Sequence, residues 1–154
     1  MLIGVLVSVD QVSKNYMIPF LLKQPGLMFD VCGFLSFVYS WNYGISFGLF
    51  SEHYQYSNVV ILILNSCLIL YLIYLLLSVS RTFEVIALAM IIAGALGNNI
   101  DRIAHHAVFD FLYFHYAGYD FAVFNCADAF ICIGALVFLT HLKKNYNNIF
   151  RTNV

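Results

Sequence analysis

The sequence predicts an all-α membrane protein built on four transmembrane helices, and three observations carry the prediction. First, 62% of the 154 residues are hydrophobic and only 10% are charged, whereas soluble domains carry roughly 25% charged residues. Second, mean hydropathy is +0.85, more apolar side chain than a soluble fold of this length can hide. Third, four stretches approach the ~20 mostly apolar residues that a spanning helix needs. The net charge of −1 leaves no basic footprint for nucleic acid. No linker, repeat or low-complexity segment divides the chain, so residues 1–154 read as a single domain.

The first span, about 1–22, is apolar except where Asp10 and Lys14 interrupt it. It lacks a basic n-region, and Asp10 falls where an apolar h-region should continue, so it does not read as a cleavable signal peptide. The second span, about 57–79, is the cleanest; the third runs about 83–104 and the fourth about 122–142. Arg81 in the loop after span two, and Lys143, Lys144 and Arg151 after span four, assign that side and both termini to the cytoplasm. The opposite side carries the 23–56 segment and the 105–121 loop, with Asp30, Glu52 and Asp120 against Lys23. Within the first of these, "FDVCGFLSFVYSW" (29–41) reads as strand on the outer membrane surface, its aromatic residues suited to the headgroup zone.

The polar residues gather on this topology. Lys14 lies one helical turn after Asp10, with the acid first, which is the favourable order. Asn98, Asp101 and Arg102 cluster at the outer end of span three, Asp110 follows in the outer loop, and Asn125 and Asp128 share a face about six residues into span four. Span two holds no charge. Charge near hydrocarbon costs several kcal/mol unless paired or wetted, so this segregation points to one polar site beneath the outer surface. Four acids (Asp10, Asp101, Asp110, Asp128) face two bases (Lys14, Arg102). Asp10 and Asp101 have bases beside them in sequence, which leaves Asp110 and Asp128 without a cation. Two such carboxylates at a partly dry site share a proton and titrate as a pair. One can then act as general base on a water and the other as general acid, the logic of aspartic proteases.

Competing explanations exist for each feature. An Asp10–Lys14 pair alone more often positions a helix than performs chemistry. Asn98 and Asn125 can hold helices together, and Gly94 and Gly97 can allow close helix packing. His105, His106 and His115 lie near the carboxylates in sequence, but there is no HExxH, and a metal role is disfavoured. The four cysteines form no CxxC or Cys/His metal spacing. A Cys32–Cys126 disulfide is disfavoured as well, since framework disulfides belong mainly to small secreted domains.

Five motifs in order give the chain a family resemblance. "DQVSK" (10–14) is similar to D-x-x-[ST]-K, "NYGISFGLF" (42–50) to N-x-G-x-[AS]-F, and "GALGNNIDR" (94–102) to G-x-x-G-N-x-x-D-R. "VFDF" (108–111) is similar to V-x-D-F, and "FNCAD" (124–128) to F-N-x-A-D. Together they resemble lipoprotein signal peptidase (signal peptidase II), the bacterial inner-membrane aspartic protease family. The resemblance implies that Asp110 and Asp128 are the catalytic pair. It makes Asn42, Gly44, Asn98, Asp101, Arg102 and Asn125 supporting residues and has Asp10 and Lys14 brace the site. It also implies a small extracytoplasmic β-cradle and an outer-surface helix between spans one and two.

The combined reading is an endopeptidase that cuts diacylglyceryl-modified prolipoproteins just before the lipidated cysteine. It is expected to act as a monomer in contact with membrane lipid, with no metal or organic cofactor. The chief rival, a proton-coupled carrier, would show inverted repeats and midplane broken helices; neither is seen. A non-enzymatic assembly subunit would not require five ordered motifs.

Overall fold

Helix α1 (Leu2–Leu21) turns the usual rule inside out: its buried residues are Asp10, Lys14, Met17 and Leu21, while Val5, Val9 and Val12 are exposed. This is the distribution expected when hydrocarbon, not water, surrounds the helix. The computed structural model of the chain describes the backbone of residues 1–44 and 54–151, and the side chains of 1–44 and 58–141. Three further long helices follow among these residues: α2 (Tyr54–Ser78), α3 (Thr82–His105) and α4 (Cys126–Arg151). By length and composition, Asn58–Ser78 and Thr82–His105 can cross a membrane, and Cys126–His141 is a shorter apolar helix. The first expected span fails that test, with Asp10 and Lys14 in its middle.

Helix α3 is the hub and packs against the other three helices. Small residues allow this. A Cβ at Gly94 would run into the carbonyl oxygen of Ala127 on α4, and one at Gly134 on α4 would come 2.7 Å from the Ala87 oxygen. On the α2 side, Leu88, Ile92 and Ala95 of α3 bury Ile69 and Leu72. Polar contacts reinforce that seam: Asn65 donates to Asn99 Oδ1 at 3.4 Å, and Asn99 donates to Ser66 Oγ at 3.3 Å.

The β structure corrects the sequence reading. The cradle does not lie only between the first two helices. It is an antiparallel sheet in the order β1 (Met28–Cys32), β2 (Leu35–Asn42), β3 (Val108–Tyr116), β4 (Tyr119–Asp120). Half of it comes from the 105–121 segment, so Asp110 sits on a strand, not in a loop. The β3–β4 turn is Ala117–Gly118, both at positive φ (50° and 83°), as a tight two-residue hairpin demands. Helix α4 begins at Cys126, not at 122, because Phe124 pairs with β3: its oxygen accepts the Phe111 and Leu112 N–H groups. Asp128 is therefore the third residue of α4. Phe109 and Phe111 of β3 bury Met17 and Leu21 of α1, which fixes the sheet to one end of the helices. Of the 23–56 stretch expected to hold an outer-surface helix as well as the cradle, the part up to Gly44 holds a short 3-10 turn (Pro25–Leu27) and the two strands, and residues 45–53, with most of the "NYGISFGLF" motif, lie outside the described residues.

Candidate active site

The predicted polar residues converge where the helix ends meet the sheet. Asp10, Lys14, Asn98, Asp101, Asp110 and Asn125 are all buried. Asp128 and Arg102 are half-buried, and Asn42 and Gly44 are exposed at its edge.

Asp110 and Asp128 are linked through two amides. Asn125 Nδ2 donates to Asp110 Oδ1 at 2.7 Å and to Asn98 Oδ1 at 3.2 Å, and Asn98 Nδ2 donates to Asp128 Oδ1 at 2.8 Å. Asn125 and Asp128 also cap α4 reciprocally. The Asp128 N–H donates to Asn125 Oδ1 at 3.0 Å, and the Asn125 N–H donates to Asp128 Oδ2 at 3.3 Å. This is a capping box with an Asn and an Asp in its two places.

The second oxygen of Asp110 is held from the sheet edge. Asn42 Nδ2 donates to Asp110 Oδ2 at 3.0 Å, while the Gly44 N–H donates to Asn42 Oδ1 at 2.9 Å. Gly44 thereby fixes which way the Asn42 amide points. Its φ of +77° requires glycine, and a Cβ there would strike Ile61 on α2. Among the described residues, neither Asp110 nor Asp128 forms an ion pair, as the sequence charge balance expects. Burial pushes the Asp110 carboxyl up to about 6, opposed by the Asn42 hydrogen bond and helped by the neighbouring Asp128 charge.

The bases are arranged differently from the sequence expectation. Lys14 Nζ lies 2.9 Å from Asp10 and 2.9 Å from Asp101, so one lysine serves both acids. Arg102 does not pair with Asp101, because adjacent helical residues point about a quarter-turn apart and do not face each other. Its Nη1 donates to the Asn98 carbonyl at 3.3 Å.

One site residue escapes the sequence reading. Gln11 Nε2 donates to Asp101 Oδ1 at 2.9 Å, Asp10 Oδ2 at 3.1 Å and the Gly97 oxygen at 3.2 Å. The available signal was thermodynamic: an amide inside an apolar span needs partners.

The histidines lie apart from this centre. His105 packs on Trp41 at 5.1 Å between ring centroids, His106 ends α3 in the left-handed conformation, and His115 Nε2 lies 2.9 Å from Ser36 Oγ. Among the described residues, no three His, Cys, Asp or Glu side chains gather as metal ligands would. Cys32 and Cys126 are both free thiols.

Solved structures place the fold in a functional class. The chain is similar to a bacterial membrane enzyme solved by the in meso method at 2.3 Å resolution, with a TM-score of 0.81 and 31% identity over 96% of this chain and 88% of that one. A second bacterial membrane enzyme, at 1.9 Å, gives a TM-score of 0.75 and 30% identity over 92% of this chain and 89% of that one. The class is therefore that of an enzyme in a membrane. The family model described as Signal peptidase (SPase) II matches residues 2–144. The lipoprotein signal peptidase of Rickettsia akari is 48% identical over 143 residues, covering 93% of this chain and 71% of that protein. That of Rickettsia prowazekii is 46% identical over 155 residues, covering 94% and 80%. The chain belongs to the signal peptidase II family, a family of aspartic endopeptidases. The carrier reading is not favoured.

Proposed function

We propose that the chain removes the signal peptide from diacylglyceryl-modified prolipoproteins, cutting just before the lipidated cysteine, with Asp110 and Asp128 as the catalytic pair. The observation that carries the assignment is the amide bridge Asp110–Asn125–Asn98–Asp128, which joins a buried and a half-buried carboxylate, neither of them ion-paired among the described residues. In the singly protonated form that reacts, Asp110 holds the shared proton, the site favoured by the burial that pushes its carboxyl up to about 6. Asp128 removes a proton from water as the water oxygen attacks the scissile carbonyl carbon. Asp110 gives its proton to the carbonyl oxygen, forming a tetrahedral diol. Asp128 then protonates the departing nitrogen while Asp110 recovers its proton from a diol hydroxyl, and the C–N bond breaks. Both carboxylates return to their starting states.

The four helices span the bacterial inner membrane with both termini in the cytoplasm and the sheet on the extracytoplasmic face. The Lys and Arg distribution supports that orientation. The exposed Phe29, Val31 and Phe34 around β1, and Tyr116 and Tyr119 on β3 and β4, suit a sheet lying at the headgroup level. A lipidated cysteine can then keep its acyl chains in the bilayer while its peptide bond reaches the acids. The chain acts as a monomer. The test is cleavage of a lipidated prolipoprotein by purified protein in detergent. Asp110→Asn and Asp128→Asn should each reduce the rate by at least about three orders of magnitude. Near-normal turnover by either variant would remove that residue from the chemistry.

A further inference from the structure

Lys14 is buried and fully engaged, yet it performs no chemistry in the scheme above. An ammonium has three donors, and this one has three acceptors. They are Asp10 Oδ2 at 2.9 Å, Asp101 Oδ2 at 2.9 Å and Asn98 Oδ1 at 3.2 Å. Charge neutralisation alone does not explain what the two acids do with their remaining lone pairs. Asp10 Oδ1 accepts the backbone N–H of Ala127 at 2.9 Å, and Asp101 Oδ2 accepts the backbone N–H of Phe109 at 3.2 Å. Ala127 immediately precedes Asp128, and Phe109 immediately precedes Asp110. Each acid thus holds the peptide N–H one residue before a member of the pair. Lys14's third contact reaches the same place by another route, since Asn98 in turn donates to Asp128.

We infer that Asp10, Lys14 and Asp101 form a gauge that sets the separation of the Asp110 and Asp128 carboxylates, with Gln11 as a further positioning residue. The inference rests on the reading of Asp110 and Asp128 as the catalytic pair. Gln11 is a second, neutral strut between the acids that Lys14 joins, and it ties both to α3 through the Gly97 oxygen. The gauge has little room for error at Gly97, where a Cβ would stand 2.5 Å from Asp10 Oδ2. Three elements that approach the site from different directions (α3, the start of β3 and the start of α4) are therefore referenced to one buried ammonium on α1. The position of the attacking water between two carboxylates depends on their spacing, and small misplacements at such a site cost rate more than affinity.

A purely structural brace and a gauge make different predictions. The interaction of two carboxylates pushes their apparent pKa values apart, so the width of the pH profile of kcat reports how strongly the pair couples. Widening the gap draws the two values together and narrows the bell. Losing folded protein lowers the amplitude and leaves the width alone. Gln11→Met removes the strut's donors at similar volume and keeps both Lys14 ion pairs, so it is the variant of choice. Lys14→Met is the stronger perturbation, but it leaves two buried acids unpaired and can unfold the protein.

The experiment measures kcat, KM and the pH profile of kcat for full-length wild type and Gln11→Met on a lipidated prolipoprotein in detergent. The expected result is a kcat about tenfold lower, a KM within about twofold and a narrower bell. A kcat that falls only with the folded fraction, on a bell of unchanged width, overturns the gauge. Asp110→Asn and Asp128→Asn in the same assay separate the two ideas. If both are inactive while Gln11→Met keeps the wild-type profile, only the gauge fails. If either cleaves normally, the assignment of the pair fails and takes the gauge with it.

Discussion

Replacing Asp110 by Asn tests the electrostatics of the site without reference to catalysis. The Asp110 carboxyl is pushed from its usual 3.8 up to about 6, with burial the largest cause. A raised acid binds its proton more tightly in the folded than in the unfolded protein. Its contribution to stability is therefore intact below about pH 4, falls as pH rises toward 6, and stays lost above that. About two pH units at about 1.4 kcal/mol each make the cost close to 3 kcal/mol at neutral pH. Asn escapes this cost because it does not ionise. It incurs another, because Asp110 accepts from two amide groups, Asn42 Nδ2 and Asn125 Nδ2. Asn has only one acceptor oxygen, so one donor faces another, at about 1–2 kcal/mol. The net expectation is a sign change. At pH 8, Asp110→Asn should be more stable than wild type by about 1–2 kcal/mol, a few degrees in Tm for a chain of this size. At pH 4 it should be less stable by a similar amount. Thermal melts in detergent between pH 4 and 8, on matched preparations, read this directly. A variant that melts below wild type by a constant margin at every pH would refute the reasoning.

Two further outcomes follow from packing and from orientation. Gly94→Ala drives a methyl group into the Ala127 carbonyl, so it should lower Tm by several degrees and reduce cleavage through displacement of the start of α4, whereas Gly4→Ala, with nothing near its Cβ, should do neither. In a background with the four native cysteines replaced, a cysteine at Tyr119 should react with an impermeant thiol reagent added to intact spheroplasts, and one at Arg81 only after lysis; the reverse pattern would move the site to the cytoplasmic face.

Much of this architecture was legible in the sequence, for reasons that differ by residue. The Asp10–Lys14 pair could be read because a helix brings i and i+4 together whatever its surroundings. Charge counting, which needs no geometry, showed that two of the four acids exceed the bases; the choice of Asp110 and Asp128 rested on sequence adjacency, and among the described residues neither forms an ion pair although Asp101 pairs with Lys14 and not Arg102. Strand β3 was missed because the start of "VFDFLYFHY" is buried on both faces, its first four residues all covered, so no period-two alternation marks it. The late start of α4 has the same origin, since Phe124 gives its backbone to β3 and Asn125 then caps the helix. The sharing of Lys14 between Asp10 and Asp101 was hidden because sequence adjacency suggested Arg102 as the partner for Asp101. Only the packing of α1 against α3 reveals which base is in reach.

The pairing of β2 with β3 has a consequence for how the molecule comes into being. Asn42 and Asp110, joined by a hydrogen bond, are 68 residues apart in the chain, and the segment between them includes two long helices. Closing a connection of that length costs entropy before any contact repays it. During synthesis, the β1–β2 hairpin emerges first, with one edge of β2 open until α2 and α3 have been threaded and the chain has come back as β3. Asp128 arrives later still, on the last helix. A partly made chain thus has neither a finished sheet nor both acids, so on the proposed catalytic pair no cutting site exists until Asp128 has been made, and a chain arrested before it holds no premature one.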